Sequence, residues 1–165
     1  MYSELTLKGL SHSGYNQLDT DAALRASAVR LFERMLVARK PSRFNFIAST
    51  PKLLKSLADV ELKPTRQHHG GLQLVSMQSI VGSEGRTLDF NANFRPCAPY
   101  LENRWVNLAI AMMNAVPLPP VELIRIGDGY YVRDGHHRIS VARAFGQEDI
   151  MAAVTVWELP EDNSR

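Results

Sequence analysis

The segment YYVRDGHHRISVARAFG, residues 130–146, sets the tightest limit on what this chain can fold into. An apolar, strand-like run ends in Asp134-Gly135, and a helical pattern with Ile139, Ala142 and Phe145 on one face begins within two residues. So abrupt a change of direction needs a residue without a Cβ, and Gly135 supplies it. The first turn of the helix leaves backbone N–H groups unpaired. Those donors, together with the helix dipole, favour an anion, and phosphate is the usual one. Arg138 offers a planar fork to phosphate oxygens, His136 and His137 offer hydrogen bonds or proton transfer, and Ser140 offers a hydroxyl. Adjacent helical residues point roughly 100° apart, so His136 and His137 do not readily share a metal ion. No metal is expected there, nor at His68-His69-Gly70-Gly71, read as a break after the helical region.

The rest of the chain supplies elements on either side of this seam. DTDAALRASAVRLFERMLVARK, from Asp19, carries Leu24, Ala28, Leu31 and Met35 at helical spacing, widened by Phe32 and Leu36 and ended by Pro41. STPKLLKSLADV predicts a second helix, with Ser49 or Thr50 as cap and Pro51 in the first turn. Residues 1–18 show no period. Leu72–Met77 is a strand candidate, followed by the polar loop GSEGRTLDFNANFRP. YLENRWVNLAIAMMNAV predicts a helix with Leu101, Trp105, Leu108 and Met112 on one stripe, stopped by PLPP. VELIRI and YYVRD flank the turn GDG, Gly146 sits at a helix C-cap, and IMAAVTVWEL closes as a strand. Helices first and a small sheet afterwards predict an α+β fold, divided into a helical extension over 1–66 and a domain over 67–165.

Charge and cysteine content narrow the function classes. The 165 residues carry a net charge of only +2, yet residues 22–66 hold ten Lys/Arg against three Asp/Glu. That local excess suggests an anionic partner, such as DNA, for a face built from Arg30, Arg34, Arg39, Lys40 and Arg43; a solvated helix surface is the plainer account. The single cysteine, Cys97, excludes an intramolecular disulfide and a cysteine-rich zinc site. No apolar run is long enough to span a membrane and the start lacks the order of a signal peptide, so the cytoplasm is the expected compartment.

The stretch PPVELIRIGDGYYVRDGHHRISVARAFGQEDIMAAVTVW, with VSMQSIVGSEGRTLDFNANFRP upstream, resembles the core of the ParB/sulfiredoxin superfamily over residues 72–157. The resemblance implies a small mixed sheet with packed helices, preceded here by the N-terminal helical extension. It implies phosphate binding by Gly135 and Arg138. ParB proteins read Gly-Glu-Arg-Arg, and bind a cytidine triphosphate, where this chain reads Gly135-His136-His137-Arg138. Sulfiredoxins read Gly-Cys-His-Arg; His136 stands at their catalytic cysteine, and Cys97 lies outside the motif, so reductase chemistry is not expected. The helix-turn-helix domain that follows this core in partition proteins has no room after residue 157, which leaves a stand-alone ParB-like domain as the expectation.

The leading reading is therefore a domain that binds a nucleotide or another phosphate anion at Gly135–Arg138, with Ser140 nearby and Arg86 and Arg95 arriving from the upstream loop. It would act as a regulatory or DNA-associated factor. The alternative is an enzyme, a ParB-like nuclease or a small-molecule phosphotransferase, with His136 or His137 as general acid or base and Glu84, Asp89 and Asp134 as the acidic residues. No cofactor is fixed by the sequence; a nucleoside triphosphate with magnesium is the candidate. A third class is a structural adaptor in which the anion site only orders the domain.

Overall fold

The computed structural model describes residues 11–37, 54–60 and 63–160, with backbone alone over 11–18. Its architecture is α+β. Three helices, α1 (Ser11–Met35), α2 (Glu102–Met113) and α3 (His136–Ala144), accompany strands β1 (Lys55–Ser56), β2 (Arg66–Ser76), β3 (Ile80–Ser83), β4 (Val121–Ile126), β5 (Gly129–Asp134) and β6 (Asp149–Glu158). The strands form one mixed sheet in the order β1-β3-β5-β4-β6-β2. β4 and β5 are the antiparallel pair joined by the Gly127 turn, while β4 runs parallel to β6, and β3 parallel to β5.

Alternation along the strands decides which face is filled. Val121, Leu123, Val132, Ala152 and Val154 point into the core. Val106, Ala109 and the α3 residues Ile139, Val141 and Ala142 belong to the same cluster. α1 joins that core through Ala28 and Phe32, whose ring lies 5.6 Å from that of Trp105 at a tilt of 60°. Trp105 is fully buried and its indole N–H donates to Ser140 Oγ at 2.9 Å. Such a bond removes the cost of burying the indole nitrogen.

Several expected elements are placed differently. The first helix starts at Ser11, because the polar run SHSGYNQL is helical without an apolar stripe to reveal it. Within the described part of the second expected helix, Lys55–Ser56 instead pairs with Gly82–Ser83, and Leu57–Asp59 is a single 3-10 turn. Ser56 accepts from Ala58 N–H at 3.2 Å and its own N–H donates to Asp59 at 3.3 Å, which closes that turn. Ser49, Thr50 and Pro51 lie outside the described residues, as do Arg39, Lys40, Pro41 and Arg43. His68-His69-Gly70-Gly71 is no break: β2 runs through it and absorbs the extra residue as a bulge between His69 and Gly71. On α2 the deeply buried stripe is Trp105, Val106 and Ala109, whereas Leu108 and Met112 are half-buried. Phe145 is 39% exposed rather than part of the α3 core face.

Candidate functional site

β5 ends at Asp134 and α3 begins at His136, so Gly135 makes the entire connection. Its φ is +104°, and a Cβ placed there would lie 2.5 Å from Val121 Cγ1. Both facts restrict this position to glycine. The turn brings the first residues of α3 against a cavity of about 570 Å³, lined by Gly135, His136, His137 and Arg138 from the seam and by Arg86, Arg104, Asn107, Leu108, Pro119 and Asp134 around it. Two arginines from separate elements thus face the start of a nine-residue helix. Ile139 N–H takes the first helical bond, to Gly135 O at 3.0 Å, and the donors before it have no partner inside the helix.

The two histidines are buried, at 4% exposure for His136 and 5% for His137. Burial and then the charge of Arg86 lower the pKa of His136 to about 4, against an opposing pull from Asp134. Burial, then Arg104, Arg86 and His136 lower that of His137 to about 4 as well. Both imidazoles are neutral at physiological pH. Phe90 packs beneath them, stacked on His136 at 6.0 Å and edge-on to His137 at 5.2 Å. His136 Nε2 lies 2.6 Å from Ser83 Oγ. By contrast, His137 Nε2 is buried and has no hydrogen-bond partner among the described residues.

The remaining expected residues divide between site and scaffold. Arg86, at φ +57°, pairs with Asp89 at 3.2 Å and still lines the cavity. Asp89 also receives the hydroxyl of Tyr100. Glu84 pairs with Arg133 at 3.1 Å. Arg138 donates through Nη1 to Pro119 O and Pro120 O, both at 2.6 Å, and through Nη2 to Asp134 at 2.5 Å. Three of its five donors therefore hold the PLPP segment and the end of β5 to α3. Ser140 is fully buried behind the helix and serves Trp105. Arg95, expected near the anion, turns away: it donates to Met35 O at 3.0 Å and Arg34 O at 2.8 Å, satisfying the last carbonyls of α1. Among the described residues, no three His, Cys, Asp or Glu side chains converge as metal ligands would. No helix of the described residues is long and apolar enough to cross a membrane.

Ser83, Arg104, Asn107 and Leu108 were not anticipated as site residues. Arg104, Asn107 and Leu108 follow i, i+3, i+4 spacing and share one face of α2. That spacing was the available signal, but Leu108 reads as core when only apolar residues are counted. Arg104 makes no hydrogen bond or ion pair among the described residues, and its charge is felt at His137.

No family model matches the chain, and no curated protein matches it in sequence. Among solved structures it is similar to sulfiredoxin from Arabidopsis thaliana, over 50% of this chain and 82% of that one, at 16% identity and a TM-score of 0.39.

Proposed function

We propose that this chain is a ParB-like domain that binds a nucleotide or another phosphate-bearing anion at the start of α3. The orphaned Nε2 of buried His137, beside Arg86 and Arg104, carries the reading. A buried polar atom without a partner costs about 1–3 kcal/mol, and a ligand oxygen that reached Nε2 from the cavity would remove that cost. The unpaired amides of α3 and the two guanidinium groups suit the same oxygens.

A triphosphate with magnesium fits this set only in part. Arg86, Arg104, His137 and the α3 amides would hold the phosphates. The cavity's own carboxylate, Asp134, is already paired with Arg138. The metal would then be carried by phosphate oxygens and water.

Binding is favoured over turnover by the histidines. At a pKa of about 4 each is a weak base near neutrality, and the Nε2 of His136 is occupied by Ser83. DNA association draws its support from Arg30 and Arg34, both exposed on α1, within the basic segment 22–66.

The test is calorimetric titration with inorganic phosphate, pyrophosphate and the four ribonucleoside triphosphates, each with and without magnesium. At least one should bind, and Arg104→Ala should weaken it about tenfold or more, the loss of one charge-assisted bond. No heat with any of them, at any magnesium concentration, would defeat the reading.

A further inference from the structure

β2 is the last strand of the sheet, and its eleven residues are paired on one side only, to β6. Among the described residues no strand pairs with its other edge, where the local side-chain bonds are Ser79 Oγ to Ser76 O and Gln73 Nε2 to Gly70 O, both at 2.7 Å. Long free edges in monomeric proteins are commonly guarded by inward charges, lysines or prolines. This one is not: between Gln67 and Ser76 there is no Lys, Arg, Asp, Glu or Pro. The single irregularity is the bulge at His69/Gly71, which leaves a regular stretch from Gly71 to Ser76.

That stretch also displays apolar side chains to water. Leu72 is 68% exposed and Leu74 66% exposed. They lie on the face of the sheet opposite the core, beside Ala153 and Met151 of β6, with which they are in register. Met151 is itself 47% exposed. Val75 points the other way and is buried, so the leucines cannot turn inward without a register slip that would expose it.

We infer that β2 is a self-association edge, and that its partner is β2 of a second copy of this chain. An antiparallel pairing about a twofold axis at Gln73 sets Gln73 opposite Gln73 and Leu72 opposite Leu74 of the other copy. Each leucine then gains one apolar cross-strand neighbour, the symmetry giving two such pairs, and the two sheets become one. Because the stretch is uncharged, two identical edges meet without like-charge repulsion. The pairing uses no residue of the anion cavity, whose lining includes none from β2.

The experiment is sedimentation equilibrium of the full chain from low to high micromolar concentration. Wild type should move from monomer towards dimer, and Leu72→Lys/Leu74→Lys should stay monomeric with an unchanged unfolding midpoint, since both positions are on the surface. A cross-linking arm locates the contact: mixed Leu72→Cys and Leu74→Cys proteins should form the disulfide-linked dimer at least several-fold faster than either alone. A wild type that remains monomeric throughout overturns the inference. So does a dimer that the double lysine variant leaves intact, or cross-linking with no preference for the mixed pair.

Discussion

Ser83 Oγ and His136 Nε2 are 2.6 Å apart inside the protein, and this contact ties the loop that carries Arg86 to the first residue of α3. The hydroxyl donates to Gly85 O and accepts from Gly85 N–H at 3.1 Å. The same oxygen is the partner of His136 Nε2, with donor and acceptor set by the imidazole tautomer. Sheet, loop and helix thereby meet on one fully buried hydroxyl.

Removing that hydroxyl should be felt at both ends. Ser83→Ala leaves a buried imidazole nitrogen and a backbone amide without their partner, at a cost of about 1–3 kcal/mol in unfolding free energy. Nitrogen chemical shifts of His136 should move as Nε2 loses its partner, and phosphate affinity should fall as the loop that carries Arg86 loses its tie to α3. Unchanged stability with unchanged His136 nitrogen shifts would show the contact to be incidental.

Gly135→Ala should be among the most damaging single substitutions in the chain. Its Cβ would meet Val121 Cγ1 at 2.5 Å and Arg138 Nε at 3.2 Å, at a φ of +104° that alanine rarely adopts. Backbone strain and overpacking each cost about 1–3 kcal/mol. Chemical denaturation should show a loss of about 3 kcal/mol or more. A near-neutral result would mean that the turn relaxes without Val121, and that glycine is not required there.

The seam was legible in the sequence because three local signals agree: an apolar strand-like run, one glycine and a helix pattern, all within seventeen residues. β4, β5, α2 and β6 were legible for the same reason. What escaped was decided by distant partners. Leu72–Ser76 was read as strand and is, but Lys55–Ser56 takes its structure from Gly82–Ser83, and the first half of β2 from β6 across more than seventy residues, so local helix and turn signals lost to sheet pairing. The role of Arg138 was hidden likewise. A Gly-x-x-Arg pattern cannot show that Pro119 and Pro120 carbonyls lie within reach of the guanidinium. Arg104 escaped because a lone charged residue on a predicted helix carries no mark of which cavity it faces.

Acid should weaken the fold through the histidine pair. Their folded pKa values, about 4, lie below the unfolded value of 6.5, so between these limits the unfolded chain binds more protons. Stability from this source is complete above about pH 6.5 and is lost as pH falls towards 4, by on the order of 3 kcal/mol for each group. His137→Gln should flatten part of that slope in urea titrations at pH 7 and pH 5. An anion held beside His137 favours its protonated form, so saturating phosphate should also flatten it. A pH-independent midpoint across this window would contradict the buried, neutral assignment.

Arg138 and Arg104 line one cavity but should answer differently to substitution. Arg138 spends three donors on Pro119 O, Pro120 O and Asp134, and its side chain is 13% exposed. Arg138→Ala strips partners from two carbonyls and a carboxylate, so it should destabilise the fold by about 2–4 kcal/mol and loosen the PLPP segment. Arg138→Lys should recover only part of that, because an ammonium cannot span three acceptors in the planar geometry of the fork. Arg104 is exposed, makes no such bonds among the described residues, and should be neutral for stability within about 0.5 kcal/mol when changed to Ala. Its loss should appear in phosphate affinity instead, and more steeply at low ionic strength. Paired unfolding and titration experiments on the two alanine variants separate the roles. If Arg104→Ala unfolds the protein while Arg138→Ala leaves stability intact and abolishes binding, anchor and ligand contact are exchanged and the site must be redrawn around Arg138.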